Sequence, residues 1–127
     1  PLSARRAVEL SINIPTVLGT IEPMKSPGLV TIRVARAEYS LEPVLEADDA
    51  TEFFFIFKDA TSGKETYPPG RFLYSELPKD GRVVLDFNRA YNPPCAFTEF
   101  ATCPLPPKGN ILPFALRVGE KKYQEPH

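Results

Sequence analysis

Five consecutive apolar residues, Phe53 to Phe57 (FFFIF), set the strongest limit on what this chain can fold into. Phenylalanine favours strands. A strand sends successive side chains to opposite faces, so this segment must be covered on both sides. It reads as a central strand between two apolar layers. Lys58-Asp59 closes it, and Thr61-Ser62-Gly63-Lys64 reads as a hairpin turn.

Elsewhere the apolar residues recur with a period of two rather than 3.6. Val8, Leu10, Ile12 and Ile14 do so near the start, and Val30, Ile32 and Val34 alternate with Thr31 and Arg33. Tyr39 and Leu41 make a further short strand, which Pro43 ends or confines to an edge. Tyr67 begins a return from the phenylalanine run, Pro68-Pro69-Gly70 interrupts it, and Arg71 to Tyr74 resumes it. After a turn at Asp80-Gly81, Val83, Leu85 and Phe87 point one way while Val84, Asp86 and Asn88 point the other. The clearest alternation is Leu112, Phe114, Leu116 and Val118. Six to seven mostly antiparallel strands follow, predicting an all-β fold: a sandwich or small barrel, one domain over residues 1–127. Residues 91–110 carry Pro93, Pro94, Pro104, Pro106 and Pro107 and are expected to form a long ordered loop.

Charge and residue supply then exclude several kinds of chemistry. The chain has 15 basic and 16 acidic residues, net charge −1. No basic run is longer than Arg5-Arg6 or Lys121-Lys122, which argues against a nucleic-acid partner. Glu46, Asp48, Asp49 and Glu52 lack the spacing and glycine of a calcium loop and read as a solvated loop. No apolar run approaches the roughly 20 residues of a membrane span. The one histidine is His127, the last residue, so serine or cysteine triads are not expected within this chain. Two cysteines without histidine also leave zinc short of ligands, and neither metal nor cofactor is expected. Ser62-Gly63-Lys64 fails as a phosphate loop, because Lys58 stands where the first glycine belongs and Glu65 follows the lysine.

The chemistry-bearing residues concentrate between Tyr67 and Asn110. Asp86 and Asn88 share one strand face, followed by Arg89, Tyr91 and Asn92. Arg71 is a fork-shaped partner for Asp86. Such a cluster either pins the proline-rich loop or contacts a ligand. Cys95 and Cys103 are a disulfide, a pair of buried thiols or a redox pair; a bridge between them would contribute about 2.5 kcal/mol.

The stretches DATSGKETYPPGRFL, VVLDFNRAYNPPCAFTEFATCPLPPKGN and VGEKKY resemble the signature of a bacterial family known as domain of unknown function 1684. The resemblance covers roughly residues 28–123, with residues 1–27 matching loosely. Its characteristic residues fall at Gly70, Arg71, Asp86, Asn88, Tyr91, Asn92, Pro93, Cys95, Cys103, Asn110, Gly119 and Glu120. The resemblance implies a bacterial protein and no particular activity. Family members are typically longer at the N-terminus, and this chain begins at Pro1, so a trimmed methionine or a truncated fragment is expected. A cytoplasmic setting is favoured, with a secreted or periplasmic one if a signal precedes this chain.

Three functional readings follow. The first is a small-molecule or peptide binding module with a polar site of Tyr67, Arg71, Asp86, Asn88, Tyr91, Asn92 and Asn110. The second is a structural or protein-interaction domain whose motif only pins the fold. The third is a histidine-independent enzyme using Asp86, Glu120 or Cys95. Ligand and oligomeric state are not legible at this level.

Overall fold

The computed structural model describes residues 3–4, 10–15, 21–34, 36–47, 49–80, 82–97, 103–107 and 109–121. His127, Val8, Asp48, Gly81 and residues 98–102 of the expected loop lie outside the described residues.

The architecture is all-β, and the described residues form three small antiparallel sheets rather than one closed barrel. Strand β1 (Ser3–Ala4) pairs with β4 (Val30–Val34), which pairs with β5 (Ala37–Leu41). Strand β2 (Leu10–Pro15) pairs antiparallel with β3 (Ile21–Ser26). The third sheet is β6 (Glu52–Phe57) with β7 (Arg71–Glu76). Two short 3-10 turns follow, Phe87–Arg89 and Pro94–Ala96. Among the described residues no helix is long and apolar enough to cross a membrane.

The phenylalanine run is buried on both faces, as its composition requires. Phe53, Phe55 and Phe57 share a face with Leu73 and pack on Val30, Ile32, Leu41, Val83 and Leu112. Phe54 and Ile56 share the other with Phe72 and pack on Val44 and Cys103, with Tyr74 and Tyr91 at the margin. Burying one phenylalanine contributes roughly 1.5–3 kcal/mol, so this ribbon is the energetic centre of the fold. Gly70 turns the chain into β7 at φ +118°, where a Cβ would come within 2.5 Å of the Phe57 carbonyl.

Two expected strands do not form. Residues 83–88 keep the alternation, with Val83 buried and Val84 84% exposed, but end in the 3-10 turn that Asp86 caps. Residues 112–118 contain no strand, and only Ile111 bridges to Lys58. The reason lies in the partners. The carbonyls of Leu116, Val118 and Glu120 all accept from the Arg71 guanidinium, so one side chain stands in for a neighbouring strand.

Candidate functional site

Among the described residues, those singled out by sequence lie in different surroundings, some in the interior and some near the surface. Arg71 is 1% exposed and belongs to the interior. Its Nη2 donates to the Leu116 carbonyl at 3.0 Å, and Nη1 donates to the carbonyls of Val118 and Glu120. Its guanidinium lies 5.4 Å from the Phe57 ring centre, within cation–π range. Its ionic partner is Asp59 at 3.8 Å, not the expected Asp86. Burial pushes the Arg71 guanidinium below its ordinary value, and Asp59 pulls it back up. Asp59 in turn accepts from the Thr61 hydroxyl at 2.8 Å and from the Leu116 amide.

Asn92 and Asn110 are likewise committed to backbone. The Asn92 amide N–H donates to Glu120 Oε1 at 2.6 Å, and its Nδ2 to the Lys121 carbonyl at 2.9 Å. Glu120 therefore positions a backbone segment. Gly119 allows the approach: at φ +81°, a Cβ would meet the Phe87 and Ala90 carbonyls at 2.7 and 2.9 Å. Asn110 is fully buried, donating to the carbonyls of Glu42 and Ile56 while accepting the Glu42 amide.

The others stay nearer the surface. Asp86 accepts from the Asn88 amide at 3.1 Å and from Asn88 Nδ2 at 3.0 Å, a local turn motif, and Arg89 lies 3.8 Å away. Tyr67 is half-buried, which pushes its hydroxyl pKa up. Tyr91 stacks on Tyr74 with ring centres 6.2 Å apart, and Tyr74 donates to Glu46 at 2.6 Å. Desolvation raises both hydroxyls; Glu46 adds to the rise at each, as a hydrogen-bond acceptor for Tyr74 and by its charge for Tyr91. Cys95 and Cys103 form a disulfide, which resolves the alternatives left by the sequence and leaves no thiol to attack a substrate. Among the described residues no group of three or more His, Cys, Asp or Glu could hold a metal ion.

An open cleft of about 480 Å³ lies elsewhere. The end of the β6–β7 ribbon supplies Glu52, Tyr74, Ser75, Glu76 and Leu77. The turn supplies Lys79 and Arg82, and the segment after it supplies Val84, Asp86 and Arg89. Acids and bases are three each. Of the seven residues expected to form the polar site only Asp86 lines this cleft, joined by Arg89 from the same stretch of sequence. The rest of it went unread because Glu52 and Glu76 meet only through the register of two strands, in which they are direct partners. The sole sequence signal was the Lys79-Asp80-Gly81-Arg82 turn, whose flanking bases pair as Lys79 and Arg82 across a bridge.

No curated protein matches the chain. The solution NMR structure of an uncharacterized protein of Haloarcula marismortui is similar at 27% identity and a TM-score of 0.73, covering 94% of this chain and 67% of that one. A model of the family described as protein of unknown function (DUF1684) matches residues 3–121, further toward the N-terminus than the motifs alone reach. The chain belongs to that family.

Proposed function

We propose that the chain is a ligand-binding module whose site is the cleft at the end of the β6–β7 ribbon, with the buried signature residues serving as its scaffold. One observation carries this reading: a cavity of about 480 Å³, within the usual range for ligand pockets, lined by exposed charges of both signs. Arg71, Asn92 and Asn110 are withdrawn from ligand contact by burial, with backbone carbonyls taking the Arg71 Nη groups and both Nδ2 amides, while Arg71 Nε and Asn92 Oδ1 have no partner among the described residues. Asp86 stays, with Tyr74 and Arg89 beside it. Three acids facing three bases favour a ligand that also carries both charges, such as an amino acid or short peptide.

A two-dimensional NMR titration with free amino acids and dipeptides tests this. Shifts confined to residues 52, 74–77, 79, 82 and 84–89 are expected. Shifts absent there, or centred on Tyr67 and Asn110, would refute it. The reading of the domain as a purely structural module gains from that negative result.

A further inference from the structure

Among the described residues the outer edge of β7 is open from Tyr74 to Glu76, and those residues line the cleft. Antiparallel pairs alternate between those that exchange hydrogen bonds and those whose amides and carbonyls point outward. Phe54 exchanges both of its bonds with Val44, at 2.8 and 3.0 Å, on the side of β6 away from β7. Phe72 exchanges both of its bonds with Tyr91, at 2.9 and 3.0 Å, on the side of β7 away from β6. Phe54 is the partner of Tyr74, and Ile56 of Phe72. Both observations fix the same parity: Tyr74 and Glu76 turn their N–H and C=O groups outward.

The two outer edges are finished differently. Along β6, Val44 bonds Phe54, Asn110 Nδ2 reaches the Ile56 carbonyl at 3.0 Å, and Leu112 donates to Lys58 at 2.8 Å. Along β7, among the described residues, only Phe72 is bonded by a neighbouring segment. Extending the Phe72–Tyr91 bridge would set Arg89 opposite Tyr74 and Phe87 opposite Glu76. Those residues are instead lifted into the 3-10 turn capped by Asp86. The chain's own strand leaves the edge where the cleft begins.

We infer that this edge binds an extended peptide as an added antiparallel strand, with a lysine or arginine opposite Glu76. This rests on the cleft being the binding site. The charge argument comes from Glu52 and Glu76, directly opposed and both exposed. Like charges in that arrangement repel. Among the described residues neither has an ion pair. A residue opposite Glu76 would accept its N–H and donate to its carbonyl, which already takes the Ser75 hydroxyl at 3.1 Å on one lone pair. Its side chain would stand on the face that Glu52 and Glu76 share. Backbone bonds supply affinity in such strand addition, and alternate side chains supply selectivity.

The probe is acetyl-Val-Thr-Lys-Thr-Val-amide, with two controls: the same peptide N-methylated at lysine, and one with glutamate in place of lysine. Amide hydrogen exchange of the full chain is read by NMR. Without peptide, Leu73 and Ser75 are protected while Tyr74 and Glu76 exchange quickly. With peptide, Tyr74 and Glu76 slow at least tenfold. N-methylation and the glutamate peptide each weaken binding about tenfold or more, and Glu52→Gln with Glu76→Gln weakens the lysine peptide severalfold. Unchanged exchange at Tyr74 and Glu76, or equal binding of the N-methylated peptide, overturns strand addition. If dipeptides still shift the cleft in that case, the cleft survives as a site; if they do not, both readings fall. Protection of Tyr74 and Glu76 before any peptide is added also overturns the proposal, because the chain's own segment or a second copy then holds the edge.

Discussion

Replacing Asn110 by alanine removes a surrogate strand from the interior. Its side chain makes three bonds to the backbone: Nδ2 to the Glu42 carbonyl at 2.8 Å, Nδ2 to the Ile56 carbonyl at 3.0 Å, and Oδ1 from the Glu42 amide at 2.7 Å. Asn110 is 0% exposed, so water does not replace these bonds without opening the structure. A buried group left unpaired costs about 1–3 kcal/mol. Three such groups, with some relaxation, give about 3–6 kcal/mol, against a total stability of about 5–15 kcal/mol for an ordinary domain. Urea unfolding measures the loss as a lower midpoint at unchanged slope. Asn88→Ala is the internal control, since Asn88 is exposed and bonds only its neighbour Asp86 at 3.0 Å. Its cost should stay within about 0.5 kcal/mol. If Asn110→Ala costs no more than Asn88→Ala, the assignment of Asn110 to the scaffold is wrong.

Reducing the Cys95–Cys103 bridge, which spans a sequence separation of 8, should cost about 2.5 kcal/mol by the chain-entropy relation, read as a lower urea midpoint in reductant. Gly119→Ala forces a side chain into the left-handed region against two carbonyls and should cost about 1–3 kcal/mol or more; a loss below about 0.5 kcal/mol would refute the close approach. Tyr67, Tyr74 and Tyr91 all hold their protons beyond the ordinary tyrosine value of 10.0. A raised folded value means the unfolded chain releases its proton first. The stabilisation is therefore complete below pH 10 and lost as pH climbs through the folded values. Absorbance of tyrosinate should show these three rings ionising above the ordinary tyrosine value, and Tyr74→Phe should remove part of the alkaline loss of stability.

Hydrophobic order was legible in the sequence, and hydrogen-bond partnership was not. FFFIF announced a strand covered on two sides because apolar burial depends on composition and period alone. The alternation through Val83, Val84 and Leu85 also survives as a burial pattern. Whether such a segment becomes a strand depends on what meets its backbone. Residues 83–88 leave the ladder because Asp86 bonds the amide two residues on. Residues 112–118 leave it because a guanidinium takes their carbonyls. The first event is local but carries no periodicity, and the second is not local at all, since Arg71 and Val118 are 47 residues apart. The same limit applies to the site. Charged and amide side chains near a proline-rich loop suggested ligand contacts, but nothing in one sequence distinguishes an asparagine aimed at a ligand from one aimed at a carbonyl.

The Arg71–Asp59 node bears on what kind of family signature this is. A buried ion pair is poor economy if stability alone is wanted, because desolvation offsets most of the attraction and apolar packing often does as well. An apolar side chain cannot, however, satisfy carbonyls that have no strand beside them. Pro113 has no N–H to give a ladder, and Gly119 turns the chain to φ +81° so that Glu120 can reach Asn92. Between those two residues the carbonyls of Leu116 and Val118 need a donor with several N–H groups and a fixed geometry, which arginine supplies and lysine does not. The motif's most chemical-looking residue is therefore required by the backbone it serves. A catalytic role inferred from its charge would have to explain why no substrate can reach a side chain 1% exposed.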